Sequence, residues 1–346
     1  MDLELALERA RIIRETRAFF DNRDYLEVDT PLLAPDLIPE TCLEVFETAY
    51  VPPRGSRRRE EKLWLIPSPE IWMKKLIARY RVSMYQICKC FRNTESRGRL
   101  HSPEFTMLEY YTMDADYLDS LALTEELFRR LLEPDSGRPI SARSVSVRPG
   151  LRPPFLRITM EEAFSRWAGF SLYEAAEAGT MEAEARRLGL NPPSGLDTAA
   201  LYDLIFIHAV EPALPRDKPV VLLDYPAFVP CLAKKNSPAL ERWELYAGGI
   251  ELANCYSEET DPEEVRRYFK AETAEKEKNA LIKHETDPRY WENFLPRKDG
   301  SGFPAGFPAC SGVALGLDRL VMALTGRPFI EEVLFFSESM FSSGKT

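Results

Sequence analysis

One short stretch of this chain spaces a guanidinium, a carboxylate and a phenol so that chemistry could use them. In FRNTESRGRLHSPEFTMLEYY, residues 91–111, two extended runs flank a polar turn. MYQICKCFRN leads in, EFTMLEYYT leads out, and Thr94 to Pro103 lie between them. Runs joined so closely pair antiparallel. Side chains alternate along a strand, so Gln86, Cys88, Cys90 and Arg92 share one face of the first run. Phe105, Met107, Glu109 and Tyr111 share one face of the second. Only one face of such a hairpin can rest on apolar core. Arg92, Glu109 and Tyr111 then form a polar set built for a ligand. On a solvated face the same residues would be an ordinary cross-strand ion pair.

A second stretch, ERWELYAGGIELANCYSEETD, turns at Ala247-Gly248-Gly249. Glu244 and Glu251 flank that turn, and carboxylates paired across a hairpin can chelate magnesium (Mg2+) on ATP. Asn254, Tyr256 and Glu258 share a face, but strict alternation points Glu251 the other way. If all four serve one site, a bulge must lie between Glu251 and Asn254. The sequence predicts one. A third stretch, CSGVALGLDRLVMALTG, places Gly312, Ala314 and Gly316 on one strand face, where small residues let a nucleotide approach the backbone. A helix from Leu317 to Thr325 follows, stopped by Gly326, with Arg319 at its start.

The elements that must position these groups are legible in outline. Leu3 to Asn22 is an amphipathic helix with Leu5, Ala6, Ile12, Ile13, Phe19 and Phe20 on its apolar side. YLEVDTPLLAP is a helix–strand connection with Pro31 at its edge. Residues 49–61 are an exposed loop whose arginines form a solvated charge run. In LWLIPSPEIWMKKLIARY a strand turns into a helix that Ser68 caps and Pro69 opens, and this capping alone accounts for both residues. Tyr117 to Leu132 is a helix, 134–157 a loop with short strands, and 159–215 a helical segment inserted in the sheet. Asp261 to Lys283 is a charged helix and 285–306 a loop.

The 346 residues, 45% hydrophobic and 29% charged, suit one large domain or two smaller ones. A net charge of −10 argues against broad capture of tRNA or DNA, which needs lysines and arginines on phosphates. There is no apolar run of about 20 residues and no signal peptide, so the expected location is cytoplasmic, away from membranes. The six cysteines lack metal spacing, and Cys88-Lys89-Cys90 has no answering pair, so structural zinc is not expected. His208 reads as a helix-packing residue. No nucleophilic triad or P-loop is present.

FRN followed by HSPEFTMLEYY resembles motif 2 of the class II aminoacyl-tRNA synthetases, in their lysyl branch. YLEVDTPLLAP resembles motif 1 and CSGVALGLDRLVMALTG motif 3, while the two-glutamate hairpin is similar to that of the lysyl enzymes. The resemblance implies an α+β fold, the class II catalytic core of antiparallel β-sheet flanked by helices. It implies ATP with Mg2+ as cofactors, and a homodimer through motif 1. Arg92 would hold the α-phosphate, Phe105 stack on adenine and Arg319 meet the γ-phosphate, making Arg92 and Arg319 the catalytic pair. Asn93, Thr94, Glu95, Ser102, Leu252 and Gly316 would complete the ATP site, and Glu244 and Glu251 would bind the metal. Ser68, Glu70, Asn254, Tyr256 and Ala314 would line the amino-acid pocket, with Glu109, Tyr111 and Glu258 receiving the distal ammonium. IEEVLFF fits the family's last strand.

The pattern also departs from the family. Thr94 stands where the family has Glu and the loop is one residue longer, so either Glu95 takes over through the inserted residue or the contact to the nucleotide amino groups is lost. Ser102 replaces Asn, and Cys255-Tyr256-Ser257 replaces Gly-Phe-His. Motif 1 begins within the first 31 residues, so 1–346 is expected to be a single catalytic domain with a helical insertion at about 159–215 and no anticodon-binding domain. This plan resembles the lysyl-tRNA synthetase paralogues that modify elongation factor P. Those paralogues have Ala where lysyl enzymes have Gly, at the place of Ala314. A methyl in a tight pocket shifts preference by roughly 1–3 kcal/mol. The resemblance implies activation of (R)-β-lysine, or less well lysine, to an acyl-adenylate, and transfer to a lysine of elongation factor P. The alternatives are a non-catalytic synthetase-like regulator and an adenylating ligase with another amine acceptor. The charge makes tRNA an unexpected partner.

Overall fold

The computed structural model describes residues 1–94, 98–133, 149–296 and 306–336. The chain opens with helix α1 (Leu3–Asp21), which Asp2 caps by accepting the Leu5 N–H at 2.8 Å. It buries Leu5, Ile12, Phe19 and Phe20. Strands β1 (Leu26–Glu27) and β2 (Leu33–Ala34) follow, then the hairpin of β3 (Phe46–Tyr50) and β4 (Glu61–Leu65). β2, β4 and β3 form a small sheet over Leu37, Val45, Trp64 and Ile66. This sheet delivers the chain to helix α2 (Glu70–Tyr80). The Ser68 hydroxyl accepts the Glu70 N–H at 3.1 Å, which is the expected capping bond, although the helix boundary falls at Pro69.

β5 (Met84–Phe91) and β6 (Glu104–Met113) are the antiparallel hairpin read from the sequence. Helix α3 (Tyr117–Leu132) has the expected bounds, with Asp116 and Asp119 forming a capping box. Beyond it, β7 (Leu156–Thr159) runs parallel to β8 (Val220–Pro226). Between them lie the short helices α4 (Met160–Ala163), α5 (Leu172–Glu177), α6 (Met181–Arg187) and α7 (Thr198–Ile205). Parallel neighbours require such a crossover, and the helical segment supplies it. It shares a second core with β7, β8 and β10, in which Phe164 and Tyr202 stack at 5.4 Å.

The chain then runs through β9 (Lys235–Asn236), β10 (Ala239–Ala247), β11 (Ile250–Ser257) and helix α8 (Pro262–Asn279). It ends in β12 (Cys310–Gly316), helix α9 (Leu317–Thr325) and helix α10 (Ile330–Val333). The main sheet has the order β1–β5–β6–β12–β11–β10–β8–β7, with β9 beside β10. Its centre is antiparallel. One face presents Tyr85, Leu108, Tyr110, Val313, Leu315, Cys255 and Trp243 to α1, α3 and α9. A buried ion pair ties these layers together. Arg9 of α1 meets Asp318 of α9 at 2.7 Å, and Asp318 also accepts the Thr106 N–H of β6 at 2.6 Å.

Two expectations change. IEEV is helical, because Ile330 and Val333 at i, i+3 are both buried while Glu331 and Glu332 face outward. The 285–306 segment contains a 3₁₀ turn, Tyr290–Phe294, whose Tyr290 and Phe294 rings are fully buried. Among the described residues no helix is long and apolar enough to cross a membrane.

Candidate active site

The second face of the main sheet carries the polar set. The ladder places Gln86 beside Glu109, Glu109 beside Ala314, Ala314 beside Asn254, and Asn254 beside Glu244. The adjoining row runs Met84, Tyr111, Gly312, Tyr256, Arg242. Five strands therefore bring together residues from three separated stretches of sequence. Glu251 joins them because the register shifts where the sequence required it. Leu245 pairs with Ala253 and Tyr246 with Glu251, which leaves Leu252 as the extra residue of a β-bulge. The turn that precedes it is Gly248-Gly249 with φ of 63° and 77°, a conformation that suits a two-residue hairpin.

A cavity of about 840 Å³ opens over this face. Arg92, Phe105, Glu251, Asn254, Gly316 and Arg319 stand on its wall, with Ser102, Leu252, Ala314, Glu70 and Tyr256. The Arg92 guanidinium lies 5.3 Å from the Phe105 ring centroid. Arg319 leaves the first turn of α9, donates to the Glu251 carbonyl at 3.1 Å and to the Leu100 carbonyl at 3.2 Å, and lies 3.7 Å from the Glu251 carboxylate. Two arginines thus face one wall, and guanidinium suits phosphate. Asn254 Oδ1 is buried with no hydrogen-bond partner among the described residues, so it is available to a ligand.

Glu244 is held from both sides, by Arg242 at 2.6 Å and by the Tyr246 hydroxyl at 2.7 Å. Glu251 is 42% exposed at its side chain, and burial in the cleft and the Glu244 charge push it up to about 7. Among the described residues no group of three His, Cys, Asp or Glu side chains could hold a metal ion. Two hard oxygen donors on one face nevertheless fit Mg2+ that takes its remaining ligands from phosphates and water.

A second polar group lies deeper. Glu109, only 2% exposed, accepts from the Ser68 hydroxyl at 2.7 Å and the Tyr111 hydroxyl at 2.8 Å. Glu258 meets Lys74 at 2.7 Å, Lys74 also pairs with Glu70, and the Tyr256 hydroxyl reaches Glu70 at 3.3 Å. Lys74 is 1% exposed and was not evident from the sequence. Its signal was the Glu70–Lys74 spacing of four, which in a helix usually marks a surface pair. Three carboxylates therefore surround one resident cation. Burial raises Glu109 and Glu258 each to about 8, with the charge of Glu70 adding to it. An arriving ammonium would relieve that deficit.

The remaining residues sort by place. Ser68, Glu109, Tyr111, Glu258 and Glu244 lie beneath the open wall. Asn93 and Thr94 stand off it: the Asn93 side chain donates to the Val45 carbonyl at 3.3 Å and accepts the Thr94 N–H at 2.9 Å, with Thr94 at φ 59°. Glu95 lies outside the described residues. Gly312 serves packing rather than nucleotide approach, since a Cβ there would fall 2.5 Å from both Glu258 Oε1 and the Tyr111 ring.

Comparison with known proteins places the chain in a family. The family model of tRNA synthetases class II (D, K and N) matches residues 3–340. The elongation factor P–(R)-β-lysine ligase of Avibacterium paragallinarum is 34% identical over 338 residues, 97% of this chain and 95% of that one. Proteins of the same name from Mannheimia succiniciproducens and Yersinia enterocolitica are 33% and 34% identical. Those alignments cover 95% of this chain in both cases, and 93% and 94% of the relatives. This chain belongs to the class II tRNA synthetase family of the D, K and N type.

Proposed function

We propose that this chain uses ATP to activate (R)-β-lysine to an acyl-adenylate and passes the acyl group to a lysine side chain of elongation factor P. One observation carries the reading. Arg92, Arg319 and Glu70 line one cavity, and Glu70 belongs to a buried group of three carboxylates and one lysine beside it. That is a frame for a molecule with a phosphate end and an ammonium end. The names of the relatives supply the amino acid and the acceptor.

In the first half-reaction the amino-acid carboxylate attacks the α-phosphorus in line, and pyrophosphate leaves. Arg92 offsets charge developing on the α-phosphate and Arg319 holds the γ-phosphate, which is preorganised electrostatic assistance. Phe105 supplies a flat face for adenine. Glu244 and Glu251 would hold Mg2+, which supplies further charge neutralisation on the phosphates when bound. Arg242 and Tyr246 keep Glu244 oriented. Glu109, Tyr111 and Glu258 fix the distal ammonium, and Asn254 and Ala314 shape the space around the carbon chain. The Ala314 methyl favours the isomer whose amino group sits elsewhere, on the order of 1–3 kcal/mol.

The work is done by a single catalytic domain in the cytoplasm. Leu26, Leu32 and Leu33, all exposed in the motif 1 region, support a homodimer. The net charge of −10 supports a protein acceptor over tRNA. Incubation of elongation factor P with the enzyme, ATP and (R)-β-lysine should raise its intact mass by one β-lysyl residue. An unchanged mass would remove elongation factor P as the acceptor.

A further inference from the structure

Glu40 is a carboxylate on the cavity wall that adenylation leaves without a task. It lies between β2 and β3 in a segment pinned to α8. Lys276 Nζ donates to the Glu40 carbonyl at 2.7 Å and to the Leu43 carbonyl at 2.6 Å, and the Thr41 N–H donates to Glu272 Oε2 at 3.2 Å. The backbone is held while the side chain is left open. Among the described residues the Glu40 carboxylate has no hydrogen bond and no ion pair.

Glu40 shares the cavity wall with Arg92, Glu70 and Tyr256. The charged groups that act on it are Glu70 and Lys74 from α2, Arg92 from the end of β5, and Lys276 from α8. The phenols of Tyr256 and Tyr268 and the thiol of Cys42 complete the titratable neighbours. Arg92 marks the phosphate end of the site and Glu70 the amino-acid end. Glu40 lines the same cavity as both, so a ligand that spans them passes its carboxylate.

The other wall carboxylates have duties or lie open. Glu70 is tied to Lys74, Glu251 belongs to the proposed metal pair, Asp318 meets Arg9, Glu272 accepts the Thr41 N–H, Glu275 pairs with Lys278, Asp197 caps α7 through the Ala200 N–H at 2.8 Å, and Asp203 is exposed.

We infer that Glu40 takes the proton from the acceptor amine in the transfer step, an inference that rests on the function proposed above. The acceptor ammonium first loses one proton to solvent at the open mouth. Its nitrogen lone pair then forms the C–N bond to the acyl carbon, the bond from that carbon to the AMP phosphate oxygen breaks, and the electron pair leaves with AMP. The second nitrogen proton passes to the Glu40 carboxylate, which later releases it to water. Burial, with the Glu70 charge adding, sets the Glu40 carboxyl at about 7 against the pull of Arg92, Lys276 and Lys74. A base poised near the working pH is effective in such a transfer.

The test compares two partial reactions of the full-length enzyme. ATP–pyrophosphate exchange reports folding and adenylation. Single-turnover transfer from enzyme-bound acyl-adenylate to the acceptor protein, followed from pH 6 to 9, reports the second step. In Glu40→Gln the ratio of transfer to exchange should fall about 100-fold, and the rise of the transfer rate through pH 7 should vanish. Glu40→Asp should keep that rise and recover part of the rate. If Glu40→Gln keeps the ratio, or keeps the inflection, the inference is overturned while the proposed function stands. If the wild-type chain exchanges with no lysine-type amino acid, the proposed function fails and takes this inference with it.

Discussion

Glu251 and Asn254 stand on the same face of β11 although three positions separate them, because Leu252 is bulged out of the ladder. That relationship puts the proposed metal pair on the same face as the proposed amino-acid pocket. It predicts that Glu251 acts with Glu244 rather than with the core side of the sheet. Glu251→Gln should lower ATP–pyrophosphate exchange on the order of 10²-fold and raise the Mg2+ concentration needed for half-maximal rate. A magnesium titration that superimposes on wild type would refute the metal role.

Lys74 and Glu258 define the second prediction. Both are essentially sealed from solvent, and Glu70 leans on the same cation. Lys74→Met would leave two buried carboxylates uncompensated, a loss of roughly 3–5 kcal/mol in unfolding free energy by urea titration. KM for the amino acid should change as well, since the charge of the pocket changes. A loss below about 1 kcal/mol would mean that the pocket admits water and that the pair is not buried in solution.

The carboxylates set a pH dependence whose sign can be worked out. Glu109 and Glu258 are raised from 4.5 to about 8 by burial, so the empty folded chain binds more protons than the unfolded chain between these values. Stability of the ligand-free protein should therefore fall as pH rises from about 5 to 8. Affinity for a substrate ammonium should move the opposite way, because the ionised carboxylates are the binding form. Calorimetric titration with the amino acid from pH 6.5 to 8.5 should show tighter binding at the higher pH, and Glu109→Gln should flatten the trend. Affinity independent of pH would contradict it.

Two glycines of one strand separate structure from binding. A Cβ on Gly312 collides with Glu258 and Tyr111, whereas one on Gly316 meets the Arg319 side chain at an ordinary 3.6–3.8 Å. Gly312→Ala should destabilise the fold by about 1–3 kcal/mol and raise KM for the amino acid. Gly316→Ala should fold normally and raise KM for ATP, because only the nucleotide competes for that space. Equal melting temperatures for the two variants would overturn the distinction.

Much of this site is readable from the chain because strand parity is strict. The hairpin faces, the Gly248-Gly249 turn and the bounds of α3 and α9 follow from local pattern, and the bulge follows from a conflict within that pattern. Lys74 was not readable. Its spacing from Glu70 is that of a surface helix pair, and its burial depends on Glu258, which reaches it only once β11 is in place. Gly312 was misread for a similar reason: its neighbours come from β6 and from the end of β11. The helical segment expected at about 159–215 lies between β7 and β8, whose parallel pairing leaves no mark in either strand. Long-range contacts, rather than local propensity, account for each miss.

The most direct measurement is ATP–pyrophosphate exchange with (R)-β-lysine, (S)-β-lysine, α-lysine and no amino acid. Exchange strongest with (R)-β-lysine, weaker with α-lysine and at background without amino acid is the predicted result. Exchange with none of them would contradict the account at its centre, since Arg92, Arg319, Glu244 and Glu251 would then be assembled around chemistry that the chain does not perform.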